Sequence, residues 1–171
     1  IDGSNFYHGC KKAIGTNRIK FVEFAQYLCG SRKLVSIEYY NCPVLQQYNP
    51  KIYADQQRFF SRIKLIPQLN LHLARLVKRF DVTRHQQVII EKGLDVMLAV
   101  HMFKHAISDS YDTVILVSGD GDFAPALEII KRAYGKRVEH ASFADERSDH
   151  LRQVCHKVWE LEEHDIRRFT F

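Results

Sequence analysis

Glycine and proline are scarce, with 8 and 4 among 171 residues, and nothing along the chain reads as a linker, a repeat or a low-complexity tract. The four cysteines, Cys10, Cys29, Cys42 and Cys155, form no CxxC pair, and no histidine pair stands at zinc-finger spacing to them. That argues against a disulfide scaffold or a structural zinc and fits idle thiols in a reducing cytosol. No uncharged apolar run reaches the roughly eighteen residues that would cross a bilayer, so a transmembrane helix is excluded. The first residues show no charged segment followed by an apolar core, so no signal peptide is expected, and a cytoplasmic location is. Absent as well are a GxxxxGK[ST] loop, a GxSxG elbow, an HExxH pair and any RRM, KH or zinc-knuckle signature. NTP hydrolysis and acyl transfer therefore have no support.

What is present is ordinary globular composition, 46% hydrophobic and 26% charged, over a length that suits one domain spanning residues 1–171. The net charge of +5 is unevenly spread. Residues 1–90 hold 14 Lys/Arg against 5 Asp/Glu, whereas residues 91–171 hold 11 against 15. A basic half attracts a polyanion, and acidic clusters in such a protein suit a bound cation; a solvated surface with accidental asymmetry is the plainer alternative.

Apolar spacing predicts alternating elements. Ile1-Asp2-Gly3 reads as the tail of a strand whose beginning is missing. Segment 17–29 has helical periodicity and stops at Gly30, and 34–40 alternates as a strand. A loop is expected over 41–52, a helix over 53–66, a strand over 70–79 and a short strand over 87–90. Segment 92–108 predicts a strong helix, and 113–117 (TVILV) a strand buried on both faces. A helix over 124–134, with Pro125 in its first turn and Gly135 at its stop, precedes a strand over 137–143 and a closing helix over 147–159. This order implies a three-layer α/β/α fold with a mostly parallel, Rossmann-like sheet, in which ligands gather at the carboxyl ends of the strands.

Two acidic motifs fall at such ends. Asp2-Gly3-Ser4-Asn5 follows the first strand fragment, and Ser118-Gly119-Asp120-Gly121-Asp122-Phe123 follows the buried strand. Asp95 lies near the start of the 92–108 helix and could reach the same crevice. Converging carboxylates repel unless a cation neutralises them, and oxygen donors suit Mg²⁺ or Mn²⁺. Each acid has a structural alternative: Asp120 or Asp122 as a helix N-cap, Asp2-Gly3 as a plain turn. Glu91 is a candidate outer ligand or simply a helix-start acid. His101 and His105, spaced i, i+4, could clamp a transition metal but lack an evident third ligand.

IDGSNFYHG, EKGLDVMLAVHM and ILVSGDGDFAPALEIIKRAYGKRVE, in this order and spacing, resemble the NYN domain, a LabA-like branch of the PIN-like nuclease superfamily. The resemblance covers nearly the whole chain, including YYNCP and LARLVKR. It implies PIN-like topology and an acidic metal pocket that hydrolyses RNA phosphodiesters to 5′-phosphate and 3′-hydroxyl ends. Carried onto this chain, the pocket is Asp2, Asp95, Asp120 and Asp122, assisted by Asn5 and Ser118. Many relatives have Asp where this chain has His101. Six residues beyond Asp95 is about 240° around a helix, so His101 points away from it.

For RNA, the segment 39–64 mixes Tyr39, Tyr40, Tyr48 and Tyr53 with Lys51, Arg58, Arg62 and Lys64. Aromatics can stack unpaired bases while cations follow the backbone, although tyrosines also finish core edges. Arg58 and Arg62 are the leading substrate-binding candidates there. Lys92 is a candidate for a phosphate oxygen, or a solvated lysine. The expectation is a Mg²⁺- or Mn²⁺-dependent ribonuclease acting on single-stranded RNA. The alternative is a non-catalytic RNA-binding or regulatory module that keeps the acidic pocket. Self-association stays open.

Overall fold

The computed structural model describes residues 1–171 except Tyr48, Val82 and Arg84, and except the side chains of Asp81, Gln86, Gln87 and Glu91. The aromatic candidate Tyr48 and the carboxylate of Glu91 therefore lie outside the described residues. The chain folds as α1 (Gly3–Ile14), α2 (Phe21–Cys29), β1 (Ile37–Asn41), α3 (Pro50–Ile63), β2 (Leu69–Leu73), β3 (Arg75–Asp81) and β4 (Gln86–Lys92). The second half continues with α4 (Leu94–Ile107), β5 (Thr113–Val117), a 3-10 turn (Gly121–Phe123), α5 (Ala124–Tyr134), β6 (Arg137–Phe143), α6 (Asp149–Val154), β7 (Lys157–Leu161) and α7 (Glu163–Arg167).

Local chemistry sets many of these boundaries. Asn49 caps α3 by accepting from the backbone N–H of Ile52, and Pro50 follows where its missing N–H costs nothing. α1 and α5 end at Gly15 and Gly135, both in the left-handed region that a side chain resists.

β1 pairs with β2, and β5, β6 and β7 pair in that order, all in parallel. The first two residues join these groups. The backbone N–H of Tyr40 donates to Ile1 O at 2.9 Å, and that of Asp2 donates to Val117 O at 3.0 Å. The combined order is β2-β1-(Ile1–Asp2)-β5-β6-β7. One core, built around Phe6, Phe24, Tyr39, Phe60, Phe143 and Ile166, packs α1, α2, α3 and α7 on one face. A second, built around Leu98, Leu116, Leu127, Ile130, Val138 and Leu151, packs α4, α5 and α6 on the other. The result is the expected α/β/α architecture with PIN-like topology. Among the described residues, no helix is long and apolar enough to cross a membrane.

The sequence reading did not expect the helices α1 and α7, and other segments differ from it as well. The single strand over 70–79 is the end of β2 and the start of β3, separated at Ala74. β3 and β4 form an antiparallel ribbon rather than joining the parallel sheet. The closing helix over 147–159 is a short α6 followed by β7, whose Trp159 turns inward to donate to Glu139 at 3.1 Å. Only Leu116 and Val117 of β5 are fully buried, because Thr113, Val114 and Ile115 border a cavity of about 540 Å³ between β5 and β1.

Near the amino end of β6 lies a buried charge. Glu139 is 1% exposed and accepts a bidentate pair from Arg32 at 2.9 and 3.0 Å, a bond from Arg137 Nε at 2.7 Å and the Trp159 indole. Burial alone would push this carboxyl up, but the Arg32, Arg137 and Trp159 hydrogen bonds more than offset it and hold the pKa at about 2. Its contribution to stability is thus complete above about pH 4.5 and is lost as pH falls toward 2. Glu139→Gln is expected to destabilise the fold by about 2–3 kcal/mol, less than a fully buried broken pair costs because both guanidiniums reach solvent. It should also flatten the acid limb of the stability curve. Urea titrations of both proteins from pH 7 to pH 3 check this; parallel acid limbs would contradict it.

Candidate acidic site at the carboxyl end of the sheet

Asp2 occupies the point where the two parts of the sheet meet. Its Oδ1 accepts the backbone N–H groups of Ser4 and Asn5, both at 3.1 Å, which caps α1. Its Oδ2 accepts the Ser118 hydroxyl at 3.0 Å. The same hydroxyl oxygen accepts Asp120 N–H at 3.2 Å, and Asp120 Oδ1 in turn accepts Asp122 N–H at 2.9 Å. Asn5 Oδ1 accepts Gly119 N–H at 3.0 Å. Hydrogen bonds therefore tie both sequence motifs into one unit across the ends of adjacent strands.

The capping alternatives hold together with this clustering. Asp2 caps α1 and Asp120 caps the 3-10 turn, yet the caps leave donor capacity. Among the described residues, Asp120 Oδ2 and both Asp122 oxygens accept no hydrogen bond. Asp122 is exposed, while Ser118 is 1% exposed and acts as the buried pin.

Behind the loop sits His140, fully buried on β6. Its Nε2 lies 2.8 Å from Ser118 O, which can only accept, so Nε2 carries the proton, and the buried Nδ1 has no partner among the described residues. Burial lowers its pKa; the bond to Ser118 opposes this, and Arg152 adds to it. The ring is neutral near pH 7 and supports the Ser118 backbone as a hydrogen-bond donor.

The glycines have steric roles. A Cβ on Gly119 would strike the carbonyl oxygen of Glu146, and one on Gly121 would lie 2.8 Å from Ser148 Oγ. Residues 144–148, which follow β6, close onto the Ser118–Asp122 loop through these two openings. They bring in Glu146, a residue the sequence reading missed. Its Oε2 is buried and has no hydrogen-bond partner among the described residues. Burial chiefly raises its pKa, the negative charges of Asp145 and Asp2 add to the rise, and Lys12 opposes it. A signal was available: Glu146 stands just beyond the expected strand 137–143, at the same end of the sheet as the two motifs.

Other candidates stand apart from the hydrogen-bonded unit. Asp95 is exposed in the first turn of α4, and Lys92 is exposed one residue before the left-handed Gly93 that starts this helix. α4 leads back to the amino end of β5, so its own start lies at the acidic end of the sheet. Arg58 and Arg62 are exposed on α3, which runs from the carboxyl end of β1 to the amino end of β2 and so carries Arg62 away from the acids. Arg58 pairs with Asp55.

His101 faces the sheet. Its Nδ1 lies 3.1 Å from Tyr40 Oη, and its ring meets His72 edge-on at 4.6 Å. His72 Nε2 is 2.6 Å from Glu38. Burial lowers the His101 pKa, and nearby His72, Lys104 and His105 lower it further against Glu38.

A hard divalent cation suits the chemistry of the carboxylate oxygens at Asp2, Asp120 and Asp122, and the free Asp120 and Asp122 oxygens are available to one. Among the described residues, however, no three His, Cys, Asp or Glu side chains converge on a single ion position, for either the acids or His101 and His105.

This α/β/α sheet, with acids at the ends of its central parallel strands, is a PIN-like nuclease fold. The NYN domain model matches residues 1–162, and the chain belongs to that family. The structure is also similar to the crystal structure of a protein of unknown function, VPA0982, from Vibrio parahaemolyticus RIMD 2210633. The TM-score is 0.73 and the identity 25%, covering 96% of this chain and 91% of that one. No curated protein matches the chain significantly.

Gly119→Ala is expected to cost about 1–3 kcal/mol, the usual penalty for overpacking, by pushing residues 144–148 off the loop. Chemical denaturation measures it; unchanged stability would mean that Glu146 does not close on Gly119.

Proposed function

We propose that the chain is a divalent-metal-dependent ribonuclease that hydrolyses phosphodiester bonds in single-stranded RNA. One observation carries the reading. Asp2 and Asp120 are far apart in the sequence and are held across adjacent strand ends by one buried hydroxyl, Ser118, with carboxylate oxygens left over. Membership of the NYN family and its PIN-like fold supports nuclease chemistry at this end of the sheet.

Asp2, Asp120 and Asp122 are the residues that would hold Mg²⁺ or Mn²⁺, with Asp95 at the rim and Asn5 and Ser118 fixing the loop. A bound divalent cation supplies charge neutralisation on the phosphate and a more acidic water. Ser118 holds Asp2 and Asp120 at a set separation, so little reorganisation is left for the moment of reaction. His140 keeps the Ser118 carbonyl occupied from behind. Lys92, exposed at the same end, is placed for a phosphate oxygen of the substrate.

A second reading keeps one specific observation in its favour. The described carboxylates do not converge in threes, as a non-catalytic RNA-binding module that retains the acids would allow.

Labelled single-stranded RNA incubated with Mn²⁺, with and without EDTA, separates the two. Cleavage should require the metal, and Asp120→Asn should lower it by about 100-fold or more. Asp122→Asn should likewise abolish cleavage while leaving RNA affinity in EDTA equal or slightly higher, because a charge that repels phosphate is gone. Tight binding without turnover at any metal concentration would establish the second reading. Metal-independent cleavage, or equal cleavage by Asp120→Asn, would overturn the first.

A further inference from the structure

The β3–β4 ribbon pairs with no other strand among the described residues and contributes little to either core. Both of its legs are rooted beside the acidic site. Ala74, just before β3, donates its backbone N–H to Asn41 O at the carboxyl end of β1. Lys92, the last residue of β4, is followed by Gly93 and the start of α4.

The register places Arg75 opposite Lys92, Val77 opposite Ile90 and Arg79 opposite Val88. Side chains alternate along a strand and directly opposed residues share a face, so these six lie on one side of the ribbon. These six comprise three cations and three aliphatic side chains; the next pair on the same side, Asp81 and Gln86, has side chains outside the described residues.

Arg75, Arg79 and Lys92 are exposed, and none pairs with a carboxylate among the described residues. Arginines elsewhere on the surface are mixed: Arg18, Arg62 and Arg168 are also exposed and pair with no carboxylate among the described residues, whereas others are paired. Arg58, Arg132, Arg147, Arg152 and Arg167 each pair with an Asp or Glu. On the ribbon, Arg75 and Lys92 instead oppose each other directly, an arrangement that destabilises an antiparallel pair. A two-stranded ribbon is marginal to begin with. A polyanion laid on this face removes the repulsion.

We propose that the Arg75–Arg79–Lys92 face of the ribbon is a phosphate track that holds single-stranded RNA as it leaves the acidic site; this rests on the RNA reading above. Arg75 and Lys92 grip the backbone next to the site. Arg79, four residues along the strand, extends the grip by about 13 Å. The aliphatic side chains between them cover sugar rather than base. No aromatic residue lies among the six for a base to stack on, so the track reads backbone and not sequence.

The test is fluorescence anisotropy of a labelled oligouridylate in EDTA across a KCl series, which needs no catalysis. Arg75→Gln with Arg79→Gln should weaken binding several-fold. It should also reduce the slope of log affinity against log salt by about 1.4, since each phosphate contact on a single strand contributes about 0.7. Arg75→Lys with Arg79→Lys should restore the slope, and thermal melts should show all variants folded. Arg58→Gln with Arg62→Gln on α3 should leave the slope unchanged. A wild-type slope in the Arg75/Arg79 glutamine variant would overturn the track while leaving metal-dependent cleavage, measured separately with Mn²⁺, to stand. A wild-type protein that binds no RNA would overturn the track and the RNA reading together.

Discussion

Asp2 is the residue on which the architecture turns, because three different bonds of one short segment meet there. Its backbone N–H completes the sheet against Val117, its Oδ1 caps α1, and its Oδ2 takes the Ser118 hydroxyl. Without this residue the β1–β2 pair and the β5–β6–β7 group share no strand hydrogen bond among the described residues. The same carboxylate that organises the fold is the first of the site acids. Stability and chemistry thus draw on one group, and a change at Asp2 acts on both.

The two ends of the sheet handle charge in opposite ways. Near the amino ends, Glu139 is buried but enclosed by Arg32, Arg137 and the Trp159 N–H, so its charge is fully answered. At the carboxyl ends, Asp2 and Asp120 accept hydroxyl and backbone donors among the described residues, Asp122 and Glu146 lie close by in sequence or space, and Lys12 acts on Glu146 from a distance. The acids at this end and the ribbon cations Arg75, Arg79 and Lys92, which pair with no carboxylate among the described residues, make neighbouring patches of opposite charge. Such a surface suits a ligand that presents phosphate to the ribbon and brings a cation to the acids.

Much of the fold was legible because its signals are local. The TVILV run, the Ser-Gly-Asp-Gly-Asp turn, Pro125 and Gly135 each specify conformation over a few residues, and β5 and α5 fall where they place them. The long apolar period of α4 served equally well. The errors came where pairing decides. Residues 70–79 alternate throughout, but whether they form one strand or two depends on which neighbours accept their hydrogen bonds. Residues 147–159 contain apolar positions that suit a helix or a strand, and the Trp159–Glu139 bond, formed across twenty residues, accompanies the strand.

By itself the sequence determined which residues are able to cap, turn and carry charge: Asp2 before a helix, glycines flanking Asp120, and acids following apolar runs. Those properties depend on side-chain chemistry and on φ/ψ preferences over a few bonds. Only the tertiary structure decided which of these groups meet. Ser118 links Asp2 to Asp120 although 116 residues separate it from Asp2, and Glu146 reaches the loop because Gly119 and Gly121 leave room for residues 144–148. Arg75, Arg79 and Lys92 of the ribbon likewise share a face only through the β3–β4 register. Such meetings follow from strand order and from hydrogen bonds between distant segments, which no local pattern encodes.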